Sequence, residues 1–194
     1  MKQPLLFIED GITMHSNYKF KKTIIWSNNT ISYNDPKIHY NIPERLIPFQ
    51  WQLVLINDGS FTQNLNSLTG KKITVELTSI PNCRSSYTEY RSREVWLTDC
   101  KRNKLAFAQS IWLNKVNAIN LSKQIPIGQS LIKLKIDIHR DLHEIYYGYS
   151  RRLEKKFNSY GPMWGRKYTI YYESKPLTTI QEFFSPKILG FLEQ

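Results

Sequence analysis

The chain has 194 residues, 41% hydrophobic and 22% charged, with formal net charge +11. That is long enough for one domain with a real core and too apolar for disorder. No apolar run approaches the roughly 18 residues of a membrane span, and two cysteines make neither a disulfide framework nor a zinc set. Cys83 and Cys100 are read as free thiols of a reducing compartment. The excess charge lies between residues 101 and 175, where 15 Lys and Arg face 5 Asp and Glu. A basic face of this kind serves nucleic acid or steers a small anion, and composition does not choose between them. The usage of 22 Ile and 14 Asn against 3 Ala and 4 Val reflects A/T-rich codons and points to a genome such as a plastid's.

Residues 1–43 are polar, with strand-like pieces at KTIIWS and TISY, and read as an N-terminal extension to a domain over 44–194. The start lacks the long apolar segment and cleavage site of a signal peptide. PERLIPFQWQLVLIND carries apolar residues at helical spacing, and GSFTQNLNSL repeats Phe61, Leu65 and Leu68 behind a capping Ser60. The two predict a helical hairpin. The period then changes to two in KKITVELTSI, SYTEYRSREVWLTD and KLAFAQSIWL, the last two joined by the turn CKRN. IPIGQSLIKL predicts a short helix, and DIHRDLHEIYYGYS and RKYTIYYES alternate again. Strands that cluster, with helices inserted among them, predict an α+β fold on an antiparallel sheet.

HRDL at 139–142 matches the start of a kinase catalytic loop, but neither a Gly-rich loop nor Asp-Phe-Gly accompanies it. His139 and His143 stand four apart in a segment that alternates like a strand, which does not suit a metal; no metal site is expected. RRLEKKF suggests nucleic acid only weakly, since charge runs usually form a solvated face and no nucleic-acid motif accompanies it. Arg93 is more informative. It shares parity with Val95 and Leu97 and so points toward the core face, where a guanidinium requires an anion. Glu182 shares parity with Ile180 and Phe184, also toward the core. Two readings are open: Arg93 and Glu182 pair as a structural salt bridge, or they share a ligand site.

SREVWLTD, PIGQSL, MWGRKYTI and KPLTTIQEFFSP, with NDGSFT upstream, resemble in order the corresponding segments of the chorismate lyase (chorismate pyruvate-lyase) family, over residues 45 to 187. The composition makes the chain most similar to plastid-encoded algal members. The resemblance implies an antiparallel sheet of about six strands, with helical flaps over a buried ligand pocket. It implies that Arg93 grips a ring carboxylate and that Glu182 contacts the ring oxygen, either transferring a proton or positioning the ring. It further implies that backbone N–H groups of Phe61 and Ile127 touch the ligand. Departures are Phe for Met at 61, Ile for Leu at 127 and Gln129 for Arg. The implied activity converts chorismate to 4-hydroxybenzoate and pyruvate without a cofactor, in a soluble, monomeric protein of the plastid stroma that feeds prenylquinone synthesis. A domain of the same fold that only binds small aromatic carboxylates is the other function that the resemblance allows. No nucleic-acid or membrane partner is implied.

Overall fold

The computed structural model describes residues 21–27, 46–57, 59–79, 82–84, 89–113, 127–135 and 137–192. Its strands are β1 (Lys21–Ser27), β2 (Thr74–Ser79), β3 (Asn82–Arg84), β4 (Glu89–Thr98), β5 (Lys104–Leu113), β6 (His139–Tyr149), β7 (Met163–Tyr172) and β8 (Lys175–Phe184). The helices are α1 (Phe49–Leu55), α2 (Phe61–Thr69), α3 (Ile127–Lys133), α4 (Arg151–Phe157) and α5 (Leu189–Leu192).

All pairings are antiparallel, in the order β1-β6-β7-β8-β5-β4-β2, with β3 also on β4. Five strands, β2 and β4 to β7, come from the alternating segments, and β8 makes the six that the family resemblance implies; the short β3 and the outer β1 bring the total to eight. β1 comes from KTIIWS and pairs with β6 from Lys21↔Tyr149 to Ser27↔Glu144. The TISY segment lies outside the described residues.

The β4–β5 connection shows how the sequence sets a register. Asp99 accepts hydrogen bonds from the backbone N–H of Lys101 and Asn103 and from the Asn103 amide. This satisfies the turn internally and leaves Arg102 in the left-handed region at φ 62°. Arg93 is thereby held opposite Ser110.

Each face of the sheet carries its own core. On the front, α1 and α2 lay Trp51, Val54, Leu55, Phe61 and Leu65 over Leu97, Ala106, Ile180 and Phe184. On the back, Trp96, Phe107, Tyr146, Met163 and Phe183 are covered by Leu153 and Phe157 of α4. Those two residues are four apart and share a helical face, while Arg151, Arg152, Lys155 and Lys156 stay exposed. RRLEKKF is therefore a helix with a solvated basic side. Ser150 caps it by accepting from the Leu153 N–H, and Asn158 ends it at φ 50°.

Candidate active site

The strand registers place side chains on the front face in two adjacent rows. One row runs Arg93, Ser110, Ile180, Tyr168, Leu142 across β4, β5, β8, β7 and β6; the next runs Val95, Ala108, Glu182, Arg166, Ile145. Arg93 and Glu182 are thus two strands apart, about 9.5 Å, and one two-residue step apart, about 7 Å. Both line one cavity of about 240 Å³. Its floor is Val95, Leu97, Ala108, Ser110, Ile180 and Ile170, and its cover is the Gly59–Thr62 segment that leads into α2 with Ile127, Gly128 and Ile132 of α3. The volume falls below the roughly 300–1,000 Å³ of sites for drug-sized ligands, and suits one small ring.

Phe61 and Ile127 each open a helix, α2 and α3 respectively. Their backbone N–H groups therefore belong to first turns that lack intrahelical acceptors. The two helix starts also touch: a Cβ on Gly128 would stand 3.0 Å from Ser60 Oγ. That fit ties the α3 cover to the α2 cover. The Phe61 ring meets Phe184 edge-on at 4.8 Å. Gln129 is not among the lining residues.

Glu182 is 6% exposed, and its ion-pair partner is Arg166, with Nε 2.7 Å from Oε2. Its other oxygen accepts from the Tyr168 hydroxyl at 3.1 Å. The rest of the Arg166 fork reaches the α1 C-terminus, where Nη1 donates to the carbonyls of Val54, Leu55 and Asn57. One buried arginine thus neutralises the cavity's carboxylate and fastens the helical cover to the sheet. Burial first, and the Glu182 charge second, push the Tyr168 hydroxyl well above the usual phenol range. Tyr168 is therefore a proton-bearing donor. Arg93 is 9% exposed, and desolvation holds its guanidinium below the ordinary arginine value.

Arg166 opens the alternating segment RKYTIYYES, and β7 begins three residues earlier, at Met163. Its parity with Tyr168 and Ile170 was the available signal. The preceding Gly165 is required by close approach. A Cβ there would run into the Tyr146 ring and come within 2.7 Å of the Glu182 carbonyl oxygen. In its absence the Tyr146 hydroxyl donates to the carbonyls of Arg166 and Glu182.

Arg140, within HRDL, is a second residue whose place the sequence pattern did not reveal. It lines the cavity, donates to the carbonyls of Asn57 (2.8 Å) and Gly59 (3.1 Å), and lies 4.4 Å over the Tyr168 ring. His139 and His143 both fall on β6. His143 Nε2 is 2.8 Å from Thr169 Oγ1, and burial lowers its pKa. No group of three or more His, Cys, Asp or Glu among the described residues is placed to hold a metal ion. Cys100 is an exposed free thiol, and the Cys83 side chain lies outside the described residues.

A family profile described as "Chorismate pyruvate-lyase Rv2949c-like" matches residues 55–192. The chain belongs to this family. Relatives include "Uncharacterized protein ycf21" of Antithamnion sp., 42% identical over 77% of this chain and 85% of that protein. The proteins of the same name from Cyanophora paradoxa and Porphyra purpurea are 39% and 37% identical, over 76% and 75% of this chain and 82% and 86% of theirs. Among solved structures, the effector domain of PhnF from Mycobacterium smegmatis matches with a TM-score of 0.54 at 9% identity, covering 69% of this chain and 92% of that one. The possible transcriptional regulator YydK of Bacillus subtilis matches with a TM-score of 0.53 at 8% identity, over 70% of this chain and 64% of that one. These likenesses establish the chorismate lyase-like fold that the family's lyases share with such effector domains. No helix among the described residues is long and apolar enough to cross a membrane.

Proposed function

We propose that the protein is a cofactor-independent chorismate pyruvate-lyase, forming 4-hydroxybenzoate and pyruvate for prenylquinone (plastoquinone) synthesis in the plastid stroma. The observation that carries this reading is that Arg93 and Glu182, far apart in the chain, line one small, mostly apolar cavity. Their separation across the sheet leaves room for a six-membered ring with a carboxylate at one end and a hydroxyl at the other. Arg93 holds the ring carboxylate through its planar fork. Glu182 accepts from the ring hydroxyl, because a carboxylate oxygen has two lone pairs and Arg166 and Tyr168 occupy one site on each. The N–H groups of Phe61 and Ile127 complete the grip from the cover.

The chemistry needs little beyond orientation. The ring carbon bearing the hydroxyl loses its proton, and the neighbouring carbon–oxygen bond to the enolpyruvyl group breaks. The C–H electron pair closes the aromatic ring, and the departing enolate takes up a proton to become pyruvate. Aromatisation drives the step, so the protein contributes placement and a dry, preorganised electrostatic environment. The excess of basic residues between 101 and 175 favours arrival of a dianion. The algal relatives and the A/T-rich codon usage support a plastid setting, and we assign a monomer.

A non-catalytic domain that binds small aromatic carboxylates is the second reading, favoured by the fold shared with the PhnF effector domain. Purified protein incubated with chorismate separates the two. Pyruvate and 4-hydroxybenzoate formed in equal amounts support the lyase. Folded protein that binds 4-hydroxybenzoate but forms neither product supports the binding domain and overturns the lyase.

A further inference from the structure

We propose that Arg140 receives the second carboxylate of the substrate, and so makes the cavity selective for a cyclic dianion over its monoanionic aromatic product. The proposal rests on the lyase reading and names the part of the site that distinguishes substrate from product.

Three observations point to it. First, two guanidinium groups line the cavity. Among the described residues its charged lining is Arg93, Arg140 and Glu182, and Glu182 is already neutralised by Arg166 behind it. Arg140 thus adds a second guanidinium to that of Arg93 on the wall of a mostly apolar space, which suits a ligand with two negative charges. Second, the interactions of Arg140 among the described residues are with neutral groups, namely the Asn57 and Gly59 carbonyls and the Tyr168 ring. Its Nε is buried without a hydrogen-bond partner among those residues. A guanidinium held only by carbonyls keeps its full charge and still has a donor for an anion. Third, its position is right. Arg93 on β4 and Arg140 on β6 lie on opposite sides of β8, which carries Glu182 between them. Arg140 leans inward over Tyr168, whose hydroxyl touches Glu182. A ring anchored on Arg93 and Glu182 would direct a neighbouring carboxylated substituent toward that inward-leaning cation.

The arrangement also gives product discrimination a physical cause. Cleavage sends the second carboxylate away with pyruvate, and Arg140 is left with the Asn57 and Gly59 carbonyls at the α1–α2 connection. The remaining monoanion keeps only the Arg93 end of the electrostatic grip.

Calorimetry with two inert aromatic probes tests this without requiring turnover. 4-Hydroxybenzoate carries one carboxylate, and 3-(carboxymethoxy)-4-hydroxybenzoate keeps the ring hydroxyl and carries a second carboxylate beside it. Arg140→Gln should weaken the dianion by about 10- to 100-fold, the range of a charge-assisted hydrogen-bonded contact, and change 4-hydroxybenzoate by less than about threefold. Arg140→Lys should recover part of the dianion affinity, since it restores charge without the fork. A variant that loses both ligands equally would show that Arg140 only holds the α1–α2 connection, and would overturn the proposal. So would unchanged affinity for both. Chorismate turnover is measured separately on the wild type. Its absence, with Arg140-dependent dianion selectivity intact, removes the lyase reading and leaves the second anion site standing.

Discussion

The two faces of the sheet solve different problems with the same strands. Behind it, Trp96, Phe107, Tyr146, Phe157 and Phe183 fill the space under α4 with aromatic rings, Trp96 against Phe157 edge-on at 5.3 Å. In front, α1, α2 and α3 close over a space they do not fill, and buried charge replaces part of the packing. The back face therefore gains stability by burying apolar area. The front face gives some of that up, and two of its arginines divide the work: Arg166 makes the cover and the carboxylate stable, and Arg93 faces the space that remains.

The sharpest way to break this comparison is Arg166→Met. It strands Glu182 as a buried charge and releases the carbonyls of Val54, Leu55 and Asn57. Removing one partner of a buried pair costs about 3–5 kcal/mol, so thermal unfolding should move down by about 10 °C. A melt within a degree or two of wild type would show that the cover does not depend on this arginine.

On the back face, Leu153→Ala deletes a fully buried side chain and should cost about 3 kcal/mol, as cavity-forming substitutions do. Here stability should fall while 4-hydroxybenzoate affinity at low temperature stays as it was. A matching loss of affinity would mean that the two faces are not independent.

Glu182→Gln keeps shape and removes the charge. Turnover of chorismate should fall by about 10²-fold if the carboxylate takes part in proton movement. Near-normal turnover would reduce Glu182 to positioning the ring. Unfolding should also shift, but less than for Arg166→Met, because the amide still fills its place beside Tyr168.

Much of this division was legible in the sequence, because alternation reports faces. Val95 and Leu97 place Arg93 on the front, and Ile180 and Phe184 place Glu182 there, as the registers bear out. Period-two runs cannot say which strands are neighbours. Glu182 meets Arg166 because β7 and β8 pair, a neighbourhood that the alternation of RKYTIYYES does not contain. Arg140 is hidden differently: HRDL has the form of a motif, while what places Arg140 is its parity with Leu142 on β6. The register then shifts between Leu142 and Glu144, which breaks simple alternation along β6. RRLEKKF is too short to show an amphipathic period clearly, and its role in covering the back face comes from tertiary contact of Leu153 and Phe157.

The central claim is that Arg93 is the arginine that grips a ring carboxylate, and calorimetry of Arg93→Lys tests it most directly. Lysine keeps the charge and loses the planar fork, so it cannot reproduce two parallel N–H···O bonds. The variant should melt close to wild type and bind 4-hydroxybenzoate more weakly by about 1.5–3 kcal/mol, while phenol, which lacks the carboxylate, binds both proteins alike. An unchanged preference for the carboxylated ligand, or a fall in melting temperature with that preference intact, would contradict the account.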